Sequence, residues 1–151
     1  MSLAPGGAML RTVHNLLEAK PPGLYTVEAE DPVRTAIQLM ADHHVGALPV
    51  MRGAELVGIL SERDYARKVV LMGRNSLETQ VWQIMSTPVV TVGPAHTVEQ
   101  CMRLMTDRRI RHLPVVQDGA LTGMVSIGDC VHALLEEQRE EIDELKRYIN
   151  G

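Results

Sequence analysis

TVEAEDPVRTAIQLMADHHVGALPVMRGAELVGILSERD (residues 26–64) lies over TVGPAHTVEQCMRLMTDRRIRHLPVVQDGALTGMVSIGD (residues 91–129) without a gap, at a constant offset of 65. Thirteen positions are identical: Thr26/Thr91, Val27/Val92, Val33/Val98, Leu39/Leu104, Met40/Met105, Asp42/Asp107, Leu48/Leu113, Pro49/Pro114, Val50/Val115, Leu56/Leu121, Gly58/Gly123, Ser61/Ser126 and Asp64/Asp129. The chain therefore writes one small unit twice, and a unit that cannot bury its own apolar face packs against its copy. Most of the identities suit a core or a turn. Ser61/Ser126 and Asp64/Asp129 return where a surface loop is expected, and packing alone does not demand them there.

Working outward, short Val- and Thr-rich strands are expected at Tyr25 to Glu28 and Val89 to Val92. Each precedes a helix whose apolar residues, Val33, Ala36, Ile37 and Met40 or Val98, Cys101, Met102 and Met105, form one stripe. Asp31-Pro32 reads as a cap followed by an N1 proline, and His96 or Thr97 stands near the second cap. Two apolar runs then flank a tight connection: Ala47 to Met51 and Leu56 to Leu60, then His112 to Val116 and Leu121 to Val125. Asp118-Gly119 is a strong hairpin signal and Arg52-Gly53 a weaker one. Helices are expected from Ser61 to Leu71 and from Ser126 to Glu137. The unit is β-α-β-β-α, twice over. An amphipathic segment leads each copy, Thr12 to Leu17 and Gln80 to Met85.

At 151 residues the chain suits two half-size units sharing a core, with an ordinary apolar fraction of 45%. Phe is absent and Trp occurs once, so any planar ligand meets mostly aliphatic side chains. A formal charge of −4 argues against a coat for nucleic acid or an anionic membrane. No apolar run reaches membrane-spanning length and no signal-peptide pattern opens the chain, so a cytoplasmic location is expected. Met1-Ser2-Leu3 reads as an appended leader, and Ala4 to Ala8 as flexible. Cys101 and Cys130 lack metal or redox spacing, and Cys101 reads as a buried, inert thiol.

Leu135, Gln138, Ile142, Leu145 and Ile149 recur at spacings of three and four in the tail, with Glu, Arg and Lys between them. Two heptads do not make a stable isolated coiled coil. The stripe suits either a partner chain or a solvated helix.

The paired motifs are similar to those of a tandem cystathionine-β-synthase (CBS) domain pair, a Bateman module. They read Gly46-Ala-Leu-Pro-Val50 with Gly58-Ile-Leu-Ser-Glu-Arg-Asp64, and Arg111-His-Leu-Pro-Val115 with Gly123-Met-Val-Ser-Ile-Gly-Asp129. Ser61-Glu-Arg-Asp-Tyr-Ala-Arg-Lys-Val69 further resembles small stand-alone bacterial members. The resemblance implies an α+β fold of two β-α-β-β-α units related by a pseudo-two-fold, with an N-terminal segment and a C-terminal amphipathic helix. The expected boundaries are 10–78 for the first unit, 79–137 for the second and 138–151 for the helical tail.

A strand ending in Ser and turning into a helix presents N–H groups at the positive end of the helix dipole, which suits a phosphate. An Asp one turn in can accept hydrogen bonds from both ribose hydroxyls. The same S-x-x-D is also a capping box, a local device that binds nothing. The resemblance implies adenosine ligands in two clefts between the units. One would combine Ser61, Arg63 and Asp64 with Val90, Arg111 and His112. The other would combine Ser126, Gly128 and Asp129 with Lys20, Tyr25, Val45, Gly46 and Ala47. Arg111-His112 align with Gly46-Ala47, so the first cleft is expected to prefer AMP and the second a bulkier adenine compound such as NAD(H).

The leading expectation is a non-catalytic sensor of AMP, ADP, ATP or NAD(H), with no required cofactor and no metal site. The resemblance adds a homodimer and a separate regulated enzyme or transporter. The alternatives are a ligand-independent interaction or dimerisation module, an accessory protein binding S-adenosylmethionine or nucleic acid, and a small enzyme using a bound dinucleotide. Arg108, Arg109 and Arg111 form a basic run, but no interleaved aromatics support nucleic-acid binding. His43 and His44 are adjacent and lack further ligands at metal spacing. No Ser-His-Asp, Cys-His or paired-carboxylate arrangement is legible.

Overall fold

The computed structural model describes residues 11–150; the flexible lead expected at 4–8 lies outside them. The order is α1 (Val13–Ala19), β1 (Val27–Glu28), α2 (Val33–His43), β2 (Ala47–Arg52), β3 (Glu55–Ser61), α3 (Glu62–Tyr65) continuing as a π-helix (Ala66–Val70), a 3-10 turn (Val81–Gln83), α4 (Val98–Arg108), β4 (His112–Gln117), β5 (Ala120–Ser126) and α5 (Ile127–Asn150). The α+β fold is as expected, with the full β-α-β-β-α pattern in the first copy and α-β-β-α preceded by an isolated bridge in the second.

The described chain divides into two compact units. The first, the Asp64 unit, holds Gly23–Val90 with Asp118–Thr122. The second, the Asp129 unit, holds 11–22, Thr91–Gln117 and 123–150. Each unit is thus completed by the amphipathic segment that precedes the other repeat. In the Asp129 unit, Thr12 bridges Thr97 and the Val13 N–H donates to the His96 carbonyl at 2.8 Å. In the Asp64 unit, Pro32 bridges Gln80 and the Val81 and Trp82 N–H groups reach the Asp31 and Ala29 carbonyls, each at 2.9 Å.

Within the Asp64 unit, β1 runs parallel to β2, with Val27 opposite Val50, and β2 pairs antiparallel with β3. Repeat identities fill the two cores position by position: Val33 and Val98, Leu48 and Leu113, Val50 and Val115 are all essentially inaccessible. Asp118 and Gly119 both take positive φ, 53° and 78°, the geometry of a two-residue hairpin turn.

Five local expectations change. Instead of a second strand at Val89 to Val92, a single parallel bridge joins Val92 to Val115, because the next N–H, that of Gly93, turns to His96 Nδ1 at 2.9 Å. Pro32 is the N-cap of α2 rather than its first helical residue, and Asp31 instead accepts from the Glu28 N–H at 3.0 Å. The open N–H groups of Val33 and Arg34 go to the Thr79 and Ser76 carbonyls at 2.8 and 3.0 Å. The helix from Ser61 to Leu71 is α-helical for one turn only; it then widens, and the Leu71 N–H reaches five residues back to the Ala66 carbonyl at 3.0 Å. Gln80 to Met85 is a short 3-10 turn. The tail is not a separate element, since α5 runs unbroken for 24 residues.

Among the described residues no helix is long and apolar enough to cross a membrane, and no group of three or more His, Cys, Asp or Glu residues is placed to hold a metal ion. Burial pushes the thiols of Cys101 and Cys130 up to about 11 and about 12, which keeps both protonated and unreactive at neutral pH.

Candidate functional site

Both Ser/Asp pairs form complete capping boxes. The Ser61 N–H donates to Asp64 Oδ2 at 3.0 Å and the Asp64 N–H returns to Ser61 Oγ at 3.2 Å. The Ser126 N–H donates to Asp129 Oδ2 at 2.8 Å and the Asp129 N–H returns to Ser126 Oγ at 3.1 Å. Each strand thereby hands over to its helix with two backbone donors satisfied by the box itself. The Glu62 N–H is also taken, by the Gly46 carbonyl at 3.0 Å, and the Ile127 N–H by the Arg111 carbonyl at 2.8 Å. The expected cluster of open N–H groups shrinks: of the first-turn donors, only those of Arg63 and Gly128 have no partner among the described residues.

The remaining carboxylate oxygens set the pairs apart. Asp64 Oδ1 accepts from Ser86 Oγ at 3.0 Å and Lys68 Nζ at 3.1 Å, while Ser61 Oγ adds a second contact to Oδ2 at 3.1 Å. Lys68 Nζ also reaches the Ile84 carbonyl at 3.0 Å, and Ser86 is fixed by its bridge to Ile59. The Asp64 side chain is 9% exposed and saturated. The Asp129 side chain is 21% exposed, and Lys20 Nζ meets Oδ2 at 2.9 Å while also donating to the Met124 carbonyl at 2.9 Å. Its Oδ1 has no hydrogen-bond partner among the described residues.

Lys20, Arg111, His112, Ser126, Gly128 and Asp129 belong to the Asp129 unit; Tyr25, Val45, Gly46, Ala47, Ser61, Arg63, Asp64 and Val90 belong to the Asp64 unit. Within the Asp129 unit, Lys20 and Asp129 meet directly, and His112 lies in the field of Asp129, Lys20 and Arg111. Within the Asp64 unit, Ala47 pairs with Ser61 across the hairpin, and Tyr25 stacks on His43 with ring centroids 3.8 Å apart. Ser86 and Lys68 were not among the sequence-derived site residues. Lys68 lies four residues after Asp64 on a helical stretch, a spacing that signals contact. Ser86 has no such signal.

His112 is half-buried, and burial lowers its pKa below the ordinary 6.5; Asp129 opposes the shift while Lys20 and Arg111 reinforce it. The imidazole is therefore neutral at pH 7, and the fixed cations of this unit's site are Lys20 and Arg111. Between the lowered folded value and 6.5 the unfolded chain binds more protons, so stability rises as pH climbs through that window and is lost as pH falls below it. Urea melts at pH 5 to 7.5 should show this rise in the wild type and a shallower one in His112→Asn. An equal slope in both would assign it elsewhere.

The family described as CBS domain matches residues 19–71 and 81–136. The mitochondrial CBS domain-containing protein CBSX3 of Arabidopsis thaliana is 47% identical over 127 residues, 81% of this chain and 62% of that protein, so the chain spans less than two thirds of that relative. The CBS domain-containing protein YhcV of Bacillus subtilis is 38% identical over 104 residues, 69% of this chain and 74% of its own. A solved structure of a protein with CBS domains from Burkholderia ambifaria MC40-6 superposes with a TM-score of 0.81 at 48% identity, covering 84% of this chain and 96% of that one. With two matched copies in register and the paired Ser/Asp boxes in place, the chain belongs to the CBS-domain family.

Proposed function

We propose that the protein is a non-catalytic sensor of an adenine nucleotide, AMP, ADP, ATP or NAD(H), read principally by the Asp129 unit. The observation that carries this is the divided carboxylate of Asp129. One oxygen caps α5 and is held by Lys20, which fixes the group's direction, and the other has no hydrogen-bond partner among the described residues, on a side chain that is 21% exposed. An ionised acceptor held this way suits a ribose diol, and Lys20 with exposed Arg111 supplies charge for phosphate. Among the described residues the Gly128 N–H is a first-turn donor beside it without a partner. Asp64, with both oxygens engaged, is assigned a structural role, which moves the proposed AMP preference away from Ser61, Arg63 and Asp64. Regulation of a separate enzyme or transporter then requires only that nucleotide bind one state of the protein better than another.

Thermal or urea unfolding with AMP, ADP, ATP, NAD, NADH and S-adenosylmethionine tests the reading. Ligand at a hundredfold its dissociation constant stabilises the wild type by about 2.7 kcal/mol. Asp129→Asn keeps the shape but weakens the acceptor, and should lose most of that shift. No stabilisation by any of these compounds would favour the ligand-independent interaction module, the reading that the two complete capping boxes support.

A further inference from the structure

Helix α5 continues well past the body of its unit. Its early residues Cys130 and Ala133 are buried, whereas from Gln138 to Asn150 every side chain but the half-buried Glu141 is exposed. Along this stretch Val131, Leu135, Ile142, Leu145 and Ile149 are exposed by 41, 58, 52, 61 and 77%, and with Gln138 they recur at spacings of four and three. In heptad terms Leu135, Ile142 and Ile149 are a positions, and Val131, Gln138 and Leu145 are d positions. Arg11 grips the far side of the helix, at f positions, through the Ala133 carbonyl (3.0 Å) and Glu140 Oε2 (2.7 Å). The apolar stripe therefore faces away from the surface that packs on its own unit. A solvated helix carries polar residues there instead.

We propose that this stripe is a parallel two-stranded coiled-coil interface with α5 of a second copy of the chain. Three features of the helix select that occupant. In the outer half of the seam Ile142 and Ile149 at a with Leu145 at d form the combination that favours two parallel strands, while the inner half carries Leu135 at a and Val131 at d. Gln138, the single polar residue of the seam, meets its own counterpart only in a parallel, in-register pair, where the two amides can bond to each other. The flanks are complementary in that orientation alone: Glu141 at g faces Lys146 at e of the second copy, while an antiparallel pair sets the cations Arg139 and Lys146 against one another. The seam is only about two and a half heptads long, but α5 is nucleated inside its unit, so the nucleation cost that defeats short isolated helices is already met. This inference does not depend on nucleotide binding.

Sedimentation equilibrium of the full chain over a micromolar range tests it, comparing wild type with Ile142→Asp and Leu145→Asp. Both substituted positions are exposed within the unit, so each variant should keep the wild-type circular dichroism and unfold cooperatively. The expected result is a wild-type dimer whose dissociation constant rises at least about a hundredfold in either variant. Gln138→Cys should cross-link to itself under mild oxidation, with the native thiols buried out of reach. A monomeric wild type, a dimer indifferent to both aspartates, or a dimer that Gln138→Cys fails to link would overturn the proposal.

Discussion

Asp64→Ala should lower the unfolding free energy by about 3 kcal/mol, against about 1 kcal/mol for Asp129→Ala, although the two residues are the same position of one repeat. Asp64 terminates four donors: the Ser61 N–H and hydroxyl, the Ser86 hydroxyl and the Lys68 ammonium. Its removal leaves the Ser61 N–H without its partner in a mostly buried place, breaks the reciprocal half of the capping box on α3 while Ser61 Oγ still caps it, and releases Ser86, whose bridge to Ile59 seats the segment carrying Val81 and Ile84 in the core. Lys68 keeps the Ile84 carbonyl and gains water, so its loss is smaller. At Asp129 water replaces more of what is removed, because the side chain is more exposed and Lys20 retains the Met124 carbonyl. Urea titration of both variants decides it; for a chain of this size the difference corresponds to roughly 4–8 °C in Tm. Equal losses would mean that Ser86 and Lys68 add nothing beyond the capping box.

That contrast also marks how far the sequence could be read. The offset of 65 places Val33, Leu48 and Val50 in the same core positions as Val98, Leu113 and Val115, because burial selects residue type strongly enough to survive duplication. The Asp118-Gly119 turn is equally local, since positive φ at both central residues is a property of those residues. Beyond the capping boxes and Lys68, the partners of the two carboxylates are not local. Ser86 reaches Asp64 from 22 residues away with no signal in the sequence, and Lys20 reaches Asp129 from 109 away, a neighbour that the family resemblance named and that spacing alone does not. The same limit hid the crossing of the lead segments, because Thr12 to Leu17 and Gln80 to Met85 are amphipathic whichever unit they complete. Helical periodicity showed the stripe on α5 but not that the helix is unbroken, since continuity depends on the absence of a breaker between Glu137 and Gln138 rather than on any positive mark.

Gly58→Val should cost about 2–3 kcal/mol, and the cause tells what the duplicated glycine is for. In the structure a Cβ at Gly58 runs into Met85, touching its Sδ and lying 2.9 Å from Cγ and 3.3 Å from Cβ; one at Gly123 lies 2.8 Å from Leu17 Cδ2 and 2.9 Å from Cδ1. Leu17 and Met85 belong to the segments that precede the two repeats, so each glycine is the notch into which a lead segment seats. Neither glycine has a positive φ, so the cost of valine is steric and not conformational. The Met85 thioether can swing aside, but its Cβ is tied to a turn that carries buried Ile84, and that limits relief. Met85→Ala removes the obstacle, so the double variant Gly58→Val/Met85→Ala should be more stable than the sum of the single losses by about 1–2 kcal/mol. A double-mutant cycle in urea, run without nucleotide, measures that coupling. Additive losses would mean that Met85 is not what excludes a side chain at position 58, whereas recovery in the double variant shows that this glycine serves as a packing notch.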